Sequence, residues 1–288
     1  MKKLDDIKLI ALDMDGTLLN GSSKISSRTK KVLHKLIDSG YEIVIATGRN
    51  YKEATRLTGE FSTFHYITSN GSSLINKNGE ILIEKHFSKE LLEDIMALFK
   101  KYNLINCAFL TKDEIVVEDK EKFYEDYIDL YKRHAVEEEF ELEHAYQELD
   151  AKNYAVISDV NDKVSEIDKN IQKVYFSGDE KELKLLNEDL IDVIDENLNI
   201  SATGVNLEIN LGNISKGNAL KKLVEHLDIS LDEMIAFGDS ENDIAMLEAA
   251  GISVVMKNSH FKYLKEKADI IAPRNDEDGV AEVLSKLI

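Results

Sequence analysis

Residues 8–17 read KLIALDMDGT: an apolar run, Leu9–Leu12, that stops at two aspartates, Asp13 and Asp15, and a glycine. A short run of this kind, bounded by turn-forming residues, is the pattern of a strand buried on both faces. Two more runs follow it, YEIVIAT ending at Thr47 and HYIT ending at Thr68. Between the first two, Ser27 to Ser39 places Val32, Leu33, Leu36 and Ile37 on one helical face, and Gly40 supplies a stop signal. Strand, helix and strand in that order predict a parallel sheet with helices on its faces. The far end repeats the grammar: a helix over 216–227, a strand EMIAFGD ending at Asp239, a helix over 243–250, strands ISVVM and DIIAP, and a last helix over 279–288.

The middle of the chain departs from this order. The Asn78-Gly79 pair predicts a hairpin joining SLIN to EILIE. Helical periodicity follows over 88–102, 121–133 and 180–195, with strand patterns over 105–118 and in YAVISDV and KVYFSG. At 288 residues the chain is long enough for about two domains. The expected organisation is therefore a doubly wound α/β core in two pieces, 1–83 and 193–288, with an α/β domain inserted over 84–192.

Composition narrows the function classes. Fifty-five acidic residues against 36 basic ones leave a net charge of −19, which repels nucleic acid and anionic membrane surfaces. Neither is expected as a partner. The acidity is concentrated: residues 84–192 carry 29 acidic and 15 basic residues, and the stretch Glu137–Glu139 reads as a solvated face. One cysteine, Cys107, excludes an intrachain disulfide and points to a reducing compartment. Behind Lys2 and Lys3 the acids Asp5 and Asp6 interrupt any secretory apolar region, so a cytoplasmic protein is expected.

Chemistry concentrates where strands end. In an open parallel sheet, ligands bind beyond the carboxyl ends of the strands, which is where Asp13 and Asp15 stand. An aspartate pair alone is often only a turn. Three further signals occupy matching places. ATGR, Ala46–Arg49, offers a hydroxyl and glycine N–H groups suited to a phosphate oxygen; Ser215-Lys216-Gly217 opens a helix; GDSEND, Gly238–Asp243, ends a strand in two more aspartates four residues apart. The seven histidines lack zinc-ligand spacing, Cys107 lies in an apolar run, and Phe123, Tyr127 and Tyr131 form a helical stripe of core type. Arg49 suits an ion pair and a phosphate contact equally.

In this order the four signals resemble the haloacid dehalogenase superfamily of phosphohydrolases, and within it the Cof-like group with a large inserted cap. The insert position, Asn70-Gly71 and the terminal DEDGVAEVL from Asp276 fit the same group. The chain departs from it at Asn50, after TGR, and at Asn210-Leu-Gly212, where prolines are frequent in the family.

The resemblance implies a Rossmann-like core, a Mg2+-dependent phosphatase activity and an aspartyl-phosphate on Asp13. Asp15 would be the general acid and base, kept protonated by crowding carboxylates, with Thr17 orienting it and Gly16 permitting the turn. Mg2+ would be held by Asp13, the Asp15 carbonyl and Asp239, with Asp243 behind them. Met14, Thr47, Gly48, Lys216 and Asn242 would grip the phosphoryl oxygens, Lys216 also serving catalysis. The cation matters because like charges about 4 Å apart repel by roughly 4 kcal/mol at an effective dielectric of about 20.

A small phosphomonoester is the expected substrate: a sugar phosphate, pyridoxal phosphate or a flavin-pathway phosphate. The acidic insert would disfavour leaving groups with extra phosphates or carboxylates. A monomer or weak homo-oligomer is expected. Phosphomutase activity of the phosphomannomutase type and a non-catalytic phospholigand sensor are the alternatives, and the presence of both Asp13 and Asp15 counts against the sensor.

Overall fold

The computed structural model describes residues 4–102, 104, 106–117, 119–134, 154–156, 170–194, 198–203 and 206–288. The acidic run Glu137–Glu139 lies outside them, as do the side chains of Tyr127 and Tyr131. The chain divides into two compact units, one of Met1–Glu84 with Ile214–Ile288 and one of Lys85–Asn213.

The first unit is built on an eight-stranded sheet. Its strands are β1 (Leu9–Leu12), β2 (Glu42–Ala46), β3 (His65–Thr68), β4 (Ser73–Ile75), β5 (Ile81–Glu84), β12 (Met234–Gly238), β13 (Ile252–Met256) and β14 (Ile270–Ala272); β6 to β11 belong to the second unit. The spatial order is β14-β13-β12-β1-β2-β3-β4-β5. Pairing is parallel from β14 through β3 and antiparallel across β3, β4 and β5.

Alternation of side chains along each strand feeds two cores. Ile10, Leu12, Ile43, Ile45, Ile235, Phe237 and Val254 pack on one face with Val32, Leu33 and Leu36 of the Ser27–Asp38 helix and with the Gly279–Leu284 helix. Leu9, Ala11, Val44, Ala46, Ile67 and Ala236 pack on the other with Leu220, Leu223 and Val224 of the Lys216–Leu227 helix. Both faces are covered, which is why the strands read as continuous apolar runs.

The hairpin at Asn78-Gly79 is present, but its loop is longer than a two-residue turn. Asn76 N–H donates to the Glu80 carbonyl, Gly79 N–H to the Asn76 carbonyl, and Gly79 alone takes a positive φ of 82°. This is a type I turn followed by a bulge. Asn76 Oδ1 ties it by accepting from the N–H groups of Asn78 and Glu80.

The second unit carries a six-stranded sheet ordered β10-β11-β9-β6-β7-β8, from β6 (Asn106–Leu110), β7 (Ile115–Val117), β8 (Tyr154–Val156), β9 (Lys173–Ser177), β10 (Leu198–Thr203) and β11 (Asn206–Leu211). Helices Lys89–Phe99 and Glu180–Ile194 cover one face against Phe109, Val174, Phe176, Leu207 and Ile209. Phe123, of the Lys120–His134 helix, packs with Ala108, Leu110, Ile115 and Val117.

The insert ends later than the sequence expectation. Residues 193–213, expected in the core, contain β10 and β11, and β11 pairs antiparallel with β9. Their alternation of apolar and polar residues, Leu207 and Ile209 against Glu208 and Asn210, is that of a sheet with one polar face rather than of a doubly covered strand. With this boundary the inserted unit holds 31 acidic and 15 basic residues, so it carries most of the net charge.

Candidate active site

β1 is the point where strand order reverses: the chain runs from β1 to β2 and β3 on one side, then from β12 to β13 and β14 on the other. Such a switch point opens a crevice at the carboxyl ends of its strands. Leu12 is level with Phe237, so Asp13 and Asp239 leave neighbouring strands side by side, and Asp13 N–H donates to the Phe237 carbonyl at 3.1 Å.

After Asp13 the backbone makes one wide turn over Met14–Leu18, with Leu18 N–H bonded to the Asp13 carbonyl and Leu19 N–H to the Met14 carbonyl. Gly16 makes the turn possible at φ 75°, and a Cβ there would stand 2.4 Å from Asp239 Oδ2. Only glycine satisfies both demands. Thr17 does not orient Asp15, as expected from sequence; its hydroxyl points to Asp239 Oδ1 at 3.5 Å, because the turn carries it toward β12.

Lys216 is the centre of the site. Ser215 caps the helix that Lys216 opens, its hydroxyl accepting from Asn218 N–H. That cap sits against the loop after β3, where a Cβ on Gly71 (φ 112°) would meet the Ser215 carbonyl at 2.5 Å. The close approach delivers a fully buried Lys216 Nζ to Asp13 Oδ1 at 2.6 Å and Asp243 Oδ1 at 2.7 Å, with Asn242 Oδ1 at 3.5 Å. Asp243 is engaged on its other side as well, Oδ2 accepting from the N–H groups of Asp239 and Ser240. It therefore ties the GDSEND turn to the lysine.

Asp13, Asp239 and Asp243 bring carboxylate oxygens within 4.8 Å of one another. One ammonium cannot balance three carboxylates in a buried place. Burial first, and then Asp243, push the Asp13 carboxyl well above the usual carboxylate range against the pull of Lys216. Burial and Asp243 likewise push Asp239 up to about 7, with Asp15 adding to the effect. Burial opposes the Lys216 charge, but Asp13 and Asp243 outweigh it and hold the ammonium above its ordinary range. A cluster of hard oxygen donors short of positive charge fits a divalent cation such as Mg2+.

Asp15 lies close enough to Asp239 to add to its shift, but it is more open to solvent than the other three aspartates. Its side chain is 55% exposed, and Arg49 grips it with two bonds, Nε to Oδ2 at 2.8 Å and Nη2 to Oδ1 at 2.7 Å. Buried Glu53, one helical turn on, lies 3.6 Å from Arg49 Nη1. Asn50, where the family often has proline, caps the Tyr51–Thr58 helix by accepting from Glu53 N–H. That helix was not read from the sequence.

The remaining predicted residues fall around the same place. Thr47 is buried, and its hydroxyl accepts from Arg49 N–H at 3.1 Å. Gly48 follows it in the loop after β2, half-buried, and Met14 is fully buried. Asn242 accepts from Ser240 Oγ at 2.9 Å and donates to Asn70 Oδ1 at 3.3 Å. Asn70 and Ser69 both adopt left-handed backbone, φ 59° and 49°. Sequence reasoning gave Ser240, Glu53, Asn258 and Asn275 no role here. Asn258 was findable, since it stands two residues past the buried run ISVVM, at a strand end like that of Asp13.

A largely parallel sheet gathers three carboxylates around a buried lysine at its switch point, the place where an open α/β sheet binds its ligand. The family model for haloacid dehalogenase-like hydrolases matches residues 10–284, and the chain belongs to that family. It is 30% identical over 280 residues to the 5-amino-6-(5-phospho-D-ribitylamino)uracil phosphatase YcsE of Bacillus subtilis (strain 168), covering 97% of this chain and 95% of that protein. It is 32% identical to a putative phosphatase of Buchnera aphidicola subsp. Acyrthosiphon pisum, covering 97% and 96%. Among solved structures, a haloacid dehalogenase-like hydrolase from B. subtilis superposes with a TM-score of 0.86 at 27% identity, covering 98% of this chain and all of that one. The chain is a phosphomonoester hydrolase of this family. Among the described residues, no helix is long and apolar enough to cross a membrane.

Proposed function

We propose that the chain hydrolyses small phosphorylated metabolites through an aspartyl-phosphate on Asp13. The observation that supports this best is the buried Lys216 ammonium, 2.6 Å from Asp13 Oδ1 and 2.7 Å from Asp243 Oδ1, beside Asp239. In the first step an Asp13 oxygen bonds to phosphorus, the bond to the leaving oxygen breaks, and Asp15 gives that oxygen a proton. In the second, Asp15 takes a proton from water as the water oxygen bonds to phosphorus, and the Asp13–phosphorus bond breaks to release phosphate.

Asp13, the Asp15 carbonyl and Asp239 would hold Mg2+, with Asp243 behind them. The cation supplies positive charge that lets a dianionic phosphate approach the carboxylates. Lys216, Thr47, Gly48, Met14 N–H and Asn242 bind the phosphoryl oxygens. The inserted unit, as a cap, selects the leaving group.

Two relatives are named as 5-amino-6-(5-phospho-D-ribitylamino)uracil phosphatases, which puts that ester first among substrates to test, followed by sugar phosphates and pyridoxal phosphate. Phosphate release is measured across this panel with Mg2+ and with chelator. Metal-dependent release, abolished by Asp13→Asn, is expected. Release that survives either chelation or the substitution overturns the proposal.

A further inference from the structure

The loops after β13 and β14 carry no predicted catalytic group, yet they reach past β12 to the turn that follows β1. Asn258 Nδ2 donates to the Gly16 carbonyl at 2.8 Å, and Asn258 Oδ1 accepts from Asn275 N–H at 3.1 Å. The second bond fixes the orientation of the amide, since a backbone N–H demands the oxygen. Two more ties follow along the turn: Asn275 Nδ2 to the Leu19 carbonyl at 2.8 Å, and Asp276 Oδ1 accepting from Gly21 N–H at 2.7 Å.

We infer that Asn258 is a positioning residue for the cation pocket. Gly16 is the link, because its backbone lies so close to the Asp239 carboxylate that even a methyl group would collide with it. The place of Gly16 therefore sets the distance between the Asp13 side of the pocket and Asp239. Asn258 is the side chain that holds the Gly16 carbonyl, and Gly16, with positive φ and no Cβ, has little of its own to hold it. Without Asn258 the turn loses the side-chain bond to its Gly16 carbonyl, while the Thr17 contact to Asp239 and the ties at Leu19 and Gly21 remain to keep the chain path. The geometry needed to place several oxygens around one small cation is looser, and outer groups of this kind typically change metal affinity by about 10- to 100-fold.

The inference rests on the proposed cation site, so the test separates the two. Mg2+ is titrated into the metal-free full chain by calorimetry, comparing wild type with Asn258→Ala, with thermal unfolding in chelator recorded for both. The expected result is a cation Kd raised by about tenfold or more, with folding retained. A variant that binds Mg2+ within twofold of wild type overturns this inference and leaves the cation site standing. A wild type that binds no cation overturns both. Asn258→Ser keeps a polar group for Asn275 but cannot span to Gly16, and it gives the same reading should the alanine variant not fold.

Discussion

Arg49 and Asp15 form a bidentate pair, Nε to Oδ2 at 2.8 Å and Nη2 to Oδ1 at 2.7 Å, with the Glu53 carboxylate behind the guanidinium. The guanidinium fork fixes the plane of the Asp15 carboxyl, so in the proposed proton transfer Arg49 serves to aim that group.

Arg49→Lys removes the planar fork and keeps the charge. Turnover of an alkyl phosphate is expected to fall by about 10²-fold, the order of magnitude that misplacing a catalytic group can cost. An aryl phosphate, whose leaving group departs without a proton, should lose much less. Steady-state kinetics on the two esters check this; equal losses would mean that Arg49 does not act through Asp15.

Neutralising Asp13 should separate stability from activity. The carboxyl is held above its usual range, so its ionised form is less favoured in the folded chain than in the unfolded one. The destabilisation this causes grows as pH rises through the ordinary carboxylate range toward the folded value. Asp13→Asn still offers an oxygen to Lys216 while removing one of three crowded charges. In chelator at neutral pH it should unfold a few degrees above wild type, a shift of the size about 1 kcal/mol produces, while phosphate release is lost. Differential scanning calorimetry decides it; a lower transition temperature would show that the Lys216 contact outweighs the repulsion.

Removing the lysine has the opposite sign. Lys216→Met leaves Asp13 and Asp243 facing each other in a fully buried place, and breaking a buried ion pair from one side costs roughly 3–5 kcal/mol. Denaturant unfolding in chelator measures the loss. Because Mg2+ would supply charge to the same cluster, adding it should recover part of the stability. No recovery would argue that the cation binds elsewhere.

How far the sequence disclosed this arrangement depends on the kind of signal each part carries. Doubly buried parallel strands are unbroken apolar runs, so β1, β2, β3, β12 and β13 and the aspartates and lysine at their ends were legible one by one. β10 and β11 were not, because a strand with one polar face, Asn206, Glu208 and Asn210 alternating with Leu207 and Ile209, lacks that run. Residue types at the site were readable, whereas side-chain partners were not. Asp15 and Asp239 both follow buried strands, yet one is half exposed and paired with Arg49 while the other is largely buried beside Asp13 and Asp243. What separates them is the wide turn at Gly16, which sends Thr17 rather than Asp15 toward β12. Asn258 and Asn275 escaped notice because each acts through a backbone carbonyl distant in sequence, and one amide looks like another in a loop.

Strands β2 and β3 of the same sheet carry a pH response that does not involve the catalytic acids. His65, buried on β3, accepts Lys77 N–H at Nδ1, so its proton resides on Nε2 and is donated to Glu42 Oε2 at 3.0 Å. A second proton would have to displace the Lys77 bond in a desolvated place, next to the Lys77 ammonium and His226. Burial accordingly holds His65 below its ordinary value of 6.5, although Glu42 pulls the other way. The sign follows from linkage: below about 6.5 the unfolded chain binds a proton that the folded chain refuses, so folding is progressively disfavoured as pH falls toward the lower folded value. Glu42, held below its ordinary 4.5 against burial by Lys77 and His65, adds its own loss at still lower pH. Asp13 and Asp239 respond to pH with the opposite sign, so the His65 effect is read as the difference between wild type and a variant in denaturant unfolding at pH 7.5 and pH 5.5. His65→Gln, which keeps an amide N–H for Glu42 and an oxygen for Lys77 N–H but does not titrate, should gain stability relative to wild type at the acid end. An unchanged difference would place the acid sensitivity elsewhere in the core.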